Sequence, residues 1–161
     1  LTISLIFSSI TFGQQIFGHV NSQEILNVMP EAATAQLALQ AELEGLQEQG
    51  QMMMQEFETQ QKEFQINQES MNDAVRSDKL KSLENLQERI VLFEQSAEQS
   101  IQMKQAELFE PILTKIQNAI DQVAKEGDYA YIFDLVGMQG GVVYKDDAYD
   151  ITDLVKSKLN L

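Results

Sequence analysis

Apolar residues between residues 31 and 126 recur in steps of three and four, the period of helices that pack against one another along a single stripe. We call this stripe the seam. Its first series is Leu39, Leu43, Leu46, Gly50, Met53, Phe57, Gln60, Phe64, Asn67 and Met71. Its second series is Leu83, Leu86, Ile90, Phe93, Ala97, Ile101, Lys104, Leu108, Ile112, Ile116, Ile120 and Val123. The pattern predicts two long helices.

A polar stretch over residues 72–79 separates the two series and is rich in residues that cap helices. We expect it to be the tip of an antiparallel hairpin; one continuous helix is the alternative. A helix from Pro30 to Asn72 would be ~60 Å long. Because two such helices cannot enclose a globular core, residues 31–126 are predicted to form a protruding coiled-coil arm.

The two ends of the chain, residues 14–30 and 127–161, have the short apolar runs of a compact β-rich body. A turn is expected at Met138 to Gly141. Three short strands alone are marginally stable, so pairing of sheet edges between chains is expected. The fold class is therefore α+β and mainly α. The predicted strands are Ile16 to Val20, Tyr129 to Phe133 and Val142 to Tyr144.

Short helices are predicted beside these strands. Asn21 and Glu24 have capping-box spacing, which indicates a helix that ends near Val28. Pro30 suits the first turn of the first long helix, and Gly127 suits the end of the second. A last amphipathic helix is expected to start at Asp150, with Leu154, Val155 and Leu159 facing inward.

Residues 1–13 resemble the apolar part of a secretory signal peptide, with small residues at Thr11 and Gly13 where a peptidase could cut. About 12 apolar residues are too few to span a bilayer, which needs ~20. We therefore expect an exported protein with a truncated signal at residues 1–13. An uncleaved anchor and a buried strand are the alternatives.

The chain is strongly acidic, with 25 Asp and Glu against 11 Lys and Arg and a net charge of −14. Residues 31–110 hold 16 of the acidic and 6 of the basic side chains. Nucleic acid is not an expected partner, because its phosphates require basic residues. The sequence has no cysteine, which excludes thiol catalysis, cysteine-ligated metal and disulfides.

Residues that could carry out catalysis are sparse. We therefore expect that the protein is not an enzyme and that it has no cofactor and no metal site. The single histidine, His19, lies on a predicted strand, where a structural role is expected. No glycine-rich phosphate loop is present. Four acidic residues near the C-terminus lack the pattern of a calcium loop and are interpreted as turn and cap residues. They are Asp146, Asp147, Asp150 and Asp153.

The order of elements resembles the Skp/OmpH family of periplasmic chaperones. The resemblance is carried by Phe17 to Leu26, Met29-Pro30, Pro111-Ile112, Ala119 to Asp134, Tyr144 and Asp150 to Thr152. It implies a jellyfish-like homotrimer, in which a small β body carries three helical arms around a cavity. It also implies a periplasmic holdase that binds unfolded outer-membrane proteins without ATP and prevents their aggregation. An envelope coiled-coil scaffold with a folded partner is the alternative.

The acidic arms differ from the strongly basic members of that family and argue against binding to lipopolysaccharide or anionic membrane. Soft or apolar side chains off the seam are candidates for contact with unfolded clients; packing between helices is the alternative. The candidates are Met52, Met54, Ile66, Val91, Leu92 and Met103. Gly50 is a candidate flexing point of the arm, since glycine costs a helix about 1 kcal/mol relative to alanine; a tolerated defect is the alternative.

Overall fold

The computed structural model describes residues 15–136 and 142–161, so the predicted signal segment and the turn at residues 138–141 lie outside the described residues. The fold is α+β and mainly α, which confirms the predicted class. The elements are β1 (Ile16–Val20), α1 (Ser22–Val28), α2 (Pro30–Asn67), α3 (Asp73–Glu126), β2 (Tyr129–Asp134), a 3₁₀ turn (Asp147–Tyr149) and α4 (Thr152–Lys158).

The chain divides into two compact units. The arm is Pro30–Leu113, and the body combines residues 15–29 with residues 114–136 and 142–161. The arm is thus shorter than the predicted 31–126. The last residues of α3 belong to the body because Val123 and Glu126 lie beside Tyr129 and α4, where Glu126 pairs with Lys158 at 2.6 Å.

Within the arm, α2 and α3 are antiparallel and pack through the predicted seam. Ala35 and Ala38 lie beside Leu108 and Ile112, and Gly50 lies beside Phe93. Most seam residues are covered at least in part, but Leu43 and Asn67 are exposed. The arm residues that become buried are Ala32, Ala35, Leu39, Leu86, Ile90 and Ile112.

The turn between the arm helices occupies residues 68–72, earlier than the predicted 72–79. Asn72 caps α3, because its side-chain oxygen accepts a hydrogen bond from the Val75 amide at 2.9 Å. Arg76 closes the turn by donating to the backbone oxygens of Gln68 and Met71, each at 3.1 Å. The cap-type residues of the stretch therefore start α3 instead of forming a loop.

The body contains a two-stranded parallel sheet, in which Phe17, Gly18 and His19 face Tyr131, Ile132 and Phe133. In the described residues, Val142 to Tyr144 do not form the predicted third strand. The other side of β1 is taken by Asp150, which forms an isolated parallel bridge with His19. The Ile151 amide donates to the His19 carbonyl oxygen at 2.9 Å, so Asp150 and Ile151, rather than residues 142–144, occupy that edge of β1.

The body core joins side chains from both ends of the chain. Its most buried members are Val20, Ile25, Met29, Ile151 and Val155. The Asn21 side chain caps α1 by accepting from the Glu24 amide at 3.1 Å, as its spacing predicts. In α4, Val155 is buried as expected, but Leu154 is exposed because Thr152 takes the inward position.

The C-terminal end of α3 follows the predicted position but not the predicted geometry. The Gly127 amide donates to the Val123 carbonyl oxygen at 3.0 Å. The left-handed residue is Asp128, with φ 51°, rather than Gly127. Glycine is needed at position 127 for a different reason, because an added Cβ would lie 2.3 Å from the Tyr129 ring.

Candidate functional site

The seam of the arm is incompletely covered along most of its length. Two helices bury a single stripe between them, and both flanks of that stripe stay open to water unless a third element covers them. Between Leu39 and Leu86 no arm residue is fully buried. The bulky seam residues Phe57 and Phe64 are partly exposed. The arm therefore presents apolar surface that its own helices do not bury.

This exposed surface deepens into a groove in the body-proximal half of the arm sequence. The groove has a volume of about 570 Å³, within the range of ligand-binding clefts. Its floor consists mainly of apolar seam residues, and its polar lining comes from two glutamates and two glutamines. The lining residues are Leu43, Leu46, Gln47, Gly50, Phe93, Glu94, Ala97, Glu98, Ile101 and Gln102. We call it the shaft groove.

Gly50 shapes the shaft groove through its missing side chain. A Cβ at Gly50 would lie 3.3 Å from Cε1 of Phe93, which is closer than usual van der Waals contact. The glycine thus leaves room for the Phe93 ring from the opposite helix. Gly45, the other glycine of α2, has nothing within 4 Å of an added Cβ. A packing role therefore separates Gly50 from Gly45, and the flexing role of Gly50 stays a prediction.

The charges of the arm are not evenly distributed between its two halves. Residues 31–53 and 90–113, which we call the shaft, hold eight acidic residues and one basic residue. Residues 54–89, which we call the tip half, hold eight acidic and five basic residues. The basic residue of the shaft, Lys104, pairs with Glu107 at 3.1 Å. The negative field is therefore concentrated on the shaft.

The six apolar residues predicted to contact clients are all exposed, by 45% to 69%. Met52 follows Gly50 by two positions and Val91 precedes Phe93 by two, so the antiparallel helices place them at one level. Met54 and Leu92 are close to that level. Successive helix residues are about 100° apart, so Met52 and Met54 lie on opposite flanks of α2 and the four residues share a level but not one face. Ile66 and Met103 are each more than ten residues away along their helices, which separates them from this level by over ~15 Å.

The body presents an exposed aromatic row on its sheet. Phe17 and Tyr131 are stacked with ring centroids 5.8 Å apart, and Tyr131 and Phe133 follow at 6.3 Å. All three rings are exposed, although aromatic side chains usually bury most of their area. Val143 and Tyr144 nearby are 98% and 82% exposed. This row is apolar surface that the body leaves uncovered.

His19 and Asp150 join β1 to the segment before α4. His19 Nε2 lies 3.5 Å from Asp150 Oδ2, and Lys145 Nζ lies 3.8 Å from the same oxygen. Burial acts to raise the pKa of Asp150, but hydrogen bonds from the Thr152 hydroxyl and amide, with the nearby His19 and Lys145, more than offset it. The pKa of Asp150 is therefore lower than usual, and its carboxylate is held in the charged form.

The acidic residues near the C-terminus have structural partners. Asp146 accepts a hydrogen bond from the Ala148 amide at 3.0 Å, and Asp150 accepts one from the Thr152 amide at 2.9 Å. Asp147 pairs with Lys145 at 3.0 Å. Within residues 15–136 and 142–161, no three acidic or histidine side chains are grouped so that they could hold a metal ion. None of the helices in these ranges is long and apolar enough to cross a membrane.

Comparison with known families identifies the group to which this architecture belongs. Residues 16–159 match the model of the family described as outer membrane protein (OmpH-like). The chain belongs to the OmpH-like family. The match extends from the first residue of β1 to just beyond α4, so it includes both the arm and the body of this OmpH-like chain.

Individual relatives agree with the family match and confirm the resemblance read from the sequence. The chaperone protein Skp of Yersinia enterocolitica is 28% identical over 138 residues, which are 85% of this chain and 82% of that protein. A crystal structure of a Caulobacter crescentus protein, described as an OmpH-like outer membrane chaperone, superposes with a TM-score of 0.76. That comparison covers 92% of this chain and 85% of the other at 11% identity, so it shows a shared fold.

Sequence reasoning missed the shaft groove of this OmpH-like protein. It assigned Leu43, Leu46 and Phe93 to helix packing alone, and none of the six predicted contact residues lines the groove. The signal was present in two places. Gly50 and Ala97 are small residues in opposite series of the seam, and they leave space where other seam positions carry larger side chains. Glu94 and Glu98, four residues apart, put two carboxylates beside that space.

Proposed function

We propose that this OmpH-like protein is an ATP-independent holdase of the periplasm, which binds unfolded outer-membrane proteins and prevents their aggregation. The observation that supports this proposal most directly is the apolar seam of the arm, which its two helices cover only in part. An unfolded barrel protein exposes apolar segments and unpaired strand edges, which associate with one another in water. Apolar surface on a soluble arm can cover such segments before they meet.

The chemistry of the exposed arm residues suits weak binding to many sequences. Met52 and Met54 are unbranched and polarisable, so they can repack around different partners. They lie near the level of Val91 and Leu92, so the arm exposes apolar side chains on more than one flank at that level. Ile66 and Met103 are proposed as separate contacts at other levels. Several weak contacts spread along one arm would hold a long unfolded chain without a fixed binding pose.

Assembly into a homotrimer, with three arms around a client cavity, is part of the proposal. A two-stranded parallel sheet is too small to be stable alone, and parallel sheets usually have both faces covered. The stacked rings of Phe17, Tyr131 and Phe133 are exposed in one chain. Pairing of bodies from several chains would cover this row and complete the sheet.

The proposal includes export to the periplasm by the segment at residues 1–13, and it includes no catalysis, cofactor or nucleic-acid binding. The acidic shaft argues against binding to lipopolysaccharide or anionic membrane, because its negative charges repel negatively charged headgroups that come within a Debye length. Cell fractionation and N-terminal sequencing of the purified protein would test export and cleavage. Recovery from the cytoplasm with the segment intact would contradict this part of the proposal.

The holdase activity can be tested by dilution of a urea-unfolded outer-membrane barrel protein into buffer with the purified protein. Light scattering measures aggregation, and native mass spectrometry measures the assembly and its bound client. We expect a trimer that takes up one unfolded chain and suppresses scattering without ATP. A trimer that leaves scattering unchanged would contradict the holdase and favour the scaffold. A monomer would contradict the enclosed cavity.

A matched pair of variants tests whether the exposed apolar residues at this level contact the client. Met52→Gln with Leu92→Gln removes two of these side chains, and glutamine retains good helix propensity. Leu37→Gln with Leu113→Gln makes the same type of change at exposed arm positions away from that level. We expect the first pair to lose at least half of the suppression and the second to retain it. Equal behaviour of the two pairs would contradict the assignment.

A further inference from the structure

The shaft groove combines an apolar floor with carboxylates that have no internal counterion. Glu94 and Glu98 both line it, and neither has an ion-pair partner among the described residues. Lys104, the first basic residue of α3 after the groove-lining residues, is paired with Glu107. An occupant that fills the groove would bring these carboxylates close to its own side chains and partly dehydrate them.

Charge complementarity decides which occupant the groove can accept. An acidic segment would place like charges beside Glu94 and Glu98, which is unfavourable in a partly desolvated site. A second copy of the arm would bring the eight acidic residues of another shaft, so self-association through this groove is disfavoured. A lysine or arginine lays its aliphatic stem along apolar surface while its charged end reaches a carboxylate. Segments that combine apolar and basic residues fit both parts of the groove.

We propose that the shaft groove is a binding site for segments of unfolded polypeptide in which an apolar run is flanked by lysine or arginine. This inference rests on the proposed holdase function and specifies which part of a client the shaft selects. Apolar side chains enter the space above Phe93 and Ala97, next to Gly50. The flanking basic side chains reach Glu94 and Glu98 at the rim.

The charge difference between the halves of the arm supports selection by the shaft. The tip half carries as many acidic residues as the shaft but has five basic residues among them, so its net field is weaker. A basic segment is therefore attracted to the shaft over the tip half. Since exposed charges are screened beyond about 10 Å at 0.1 M salt, this attraction weakens as salt is added.

The probes are two synthetic peptides with the same apolar centre, one flanked on each side by lysines and the other by glutamates. Fluorescence anisotropy measures their affinity for the full protein at low and high salt. We expect the lysine-flanked peptide to bind at least tenfold more tightly at low salt and the difference to shrink at high salt. Equal affinities would overturn the inference.

Two double variants on α3 locate the effect. Glu94→Gln with Glu98→Gln removes the groove carboxylates, and Glu84→Gln with Glu88→Gln removes two exposed carboxylates of the same spacing in the tip half. We expect the first pair to weaken the lysine-flanked peptide by about threefold to tenfold and the second by less than twofold. Equal losses would mean that the general field of the arm, not the groove, attracts the peptide.

Ala97→Leu tests the apolar part of the site, because leucine fits a helix well and would fill the groove beside Phe93. We expect it to weaken both peptides, with the helical content unchanged by circular dichroism. If this variant loses self-association but still binds the peptides, a second copy of the chain occupies the groove, and the inference is overturned.

Suppression of aggregation by a protein that binds neither peptide would overturn the inference alone. Peptide binding without suppression would overturn only the holdase function.

Discussion

The arm and the body of this OmpH-like protein use the same apolar residue types in opposite ways. In the body, Ile25 and Val155 are completely buried, although more than 100 residues separate them in the sequence. In the arm, the residues that pack together follow a simple repeat, yet most of them stay partly exposed. The core of the body is thus closed to water, although the aromatic row on its sheet is not, whereas the packed stripe of the arm itself stays partly accessible.

Burial, rather than hydrophobicity, separates the core residues of this chain from the residues proposed to contact clients. Ile25 and Ile66 are the same residue type on helices, but the first is fully buried and the second is 69% exposed. A buried isoleucine contributes its full transfer free energy to folding, whereas an exposed one contributes little. Matched substitutions in the two units can therefore break or sharpen the comparison.

The largest effect is expected for Ile25→Ala in the body. Loss of a fully buried isoleucine removes apolar contacts and leaves a cavity, which should lower the free energy of unfolding by about 3 kcal/mol. Ile66→Ala makes the same chemical change on the arm and should alter stability by less than about 0.5 kcal/mol. Urea unfolding measures both values. Similar losses in the two variants would refute the contrast between the units.

A second effect is expected inside the arm, between adjacent residues of α3. Ile90 is buried on the seam and Val91 is exposed beside it. Ile90→Ala should cost about 2 kcal/mol, because the thin arm can relax around the lost side chain better than the body core can. Val91→Ala should be nearly neutral. Amide hydrogen exchange of arm residues would detect the difference, and an equal effect at both positions would count against the seam.

A smaller, pH-dependent effect is expected for Asp150→Asn in the body. The pKa of Asp150 is lowered by folding, so its stabilising contribution is complete above its unfolded value near 3.8 and is lost as pH falls through the lower folded value. At pH 7 the variant should be less stable by roughly 1 kcal/mol, and the difference should vanish in acid.

The control for this pH effect is Asp147→Asn, whose side chain is largely exposed and pairs with Lys145. Thermal unfolding at several pH values between 2 and 7 measures both variants. The control should be close to the wild type throughout. A constant difference between Asp150→Asn and wild type down to pH 2 would show that the carboxylate charge is not what stabilises the body.

The smallest effect is expected for the two glycines of α2. Gly45→Ala should stabilise the arm by roughly 0.5–1 kcal/mol, because alanine is the better helix former and the added Cβ meets open space. Gly50→Ala should gain less, since its Cβ would press on the Phe93 ring. If Gly50 is a flexing point, Gly50→Ala alone should also reduce holding of large clients relative to small ones. Equal holding of both sizes would remove that role.

Local patterns predicted the elements that depend on nearby residues. The spacing of Asn21 and Glu24 indicated α1, and the three-and-four repeat indicated the seam. The tip differed because Asn72 and the residues after it fit both a loop and the first turn of a helix. The Arg76 contacts to the preceding carbonyl oxygens show that these residues start a helix, and no regular spacing in the sequence predicts such contacts.

Long-range pairing explains what the sequence could not predict. Val142 to Tyr144 have the composition of a strand, but whether they pair depends on competition with Asp150 for the edge of β1. The shaft groove depends on which residue of α3 lies opposite Gly50, and an error of one helical turn in the tip would have changed that partner. The candidate contact residues could be identified as off-seam by counting, but the common level of Met52 and Val91 required the register of the hairpin.

The short turn closed by Arg76 has a consequence for how such arms can vary in length. Both arm helices space their seam residues by threes and fours, and the Arg76 contacts that close the turn lie within residues 68–76. Insertion of seven residues into each helix at matched levels would keep the seam in phase and lengthen the arm by roughly 10 Å. Evolution or an engineer could therefore change the length of the arm in steps of seven residues per helix, without changing the turn or the body core.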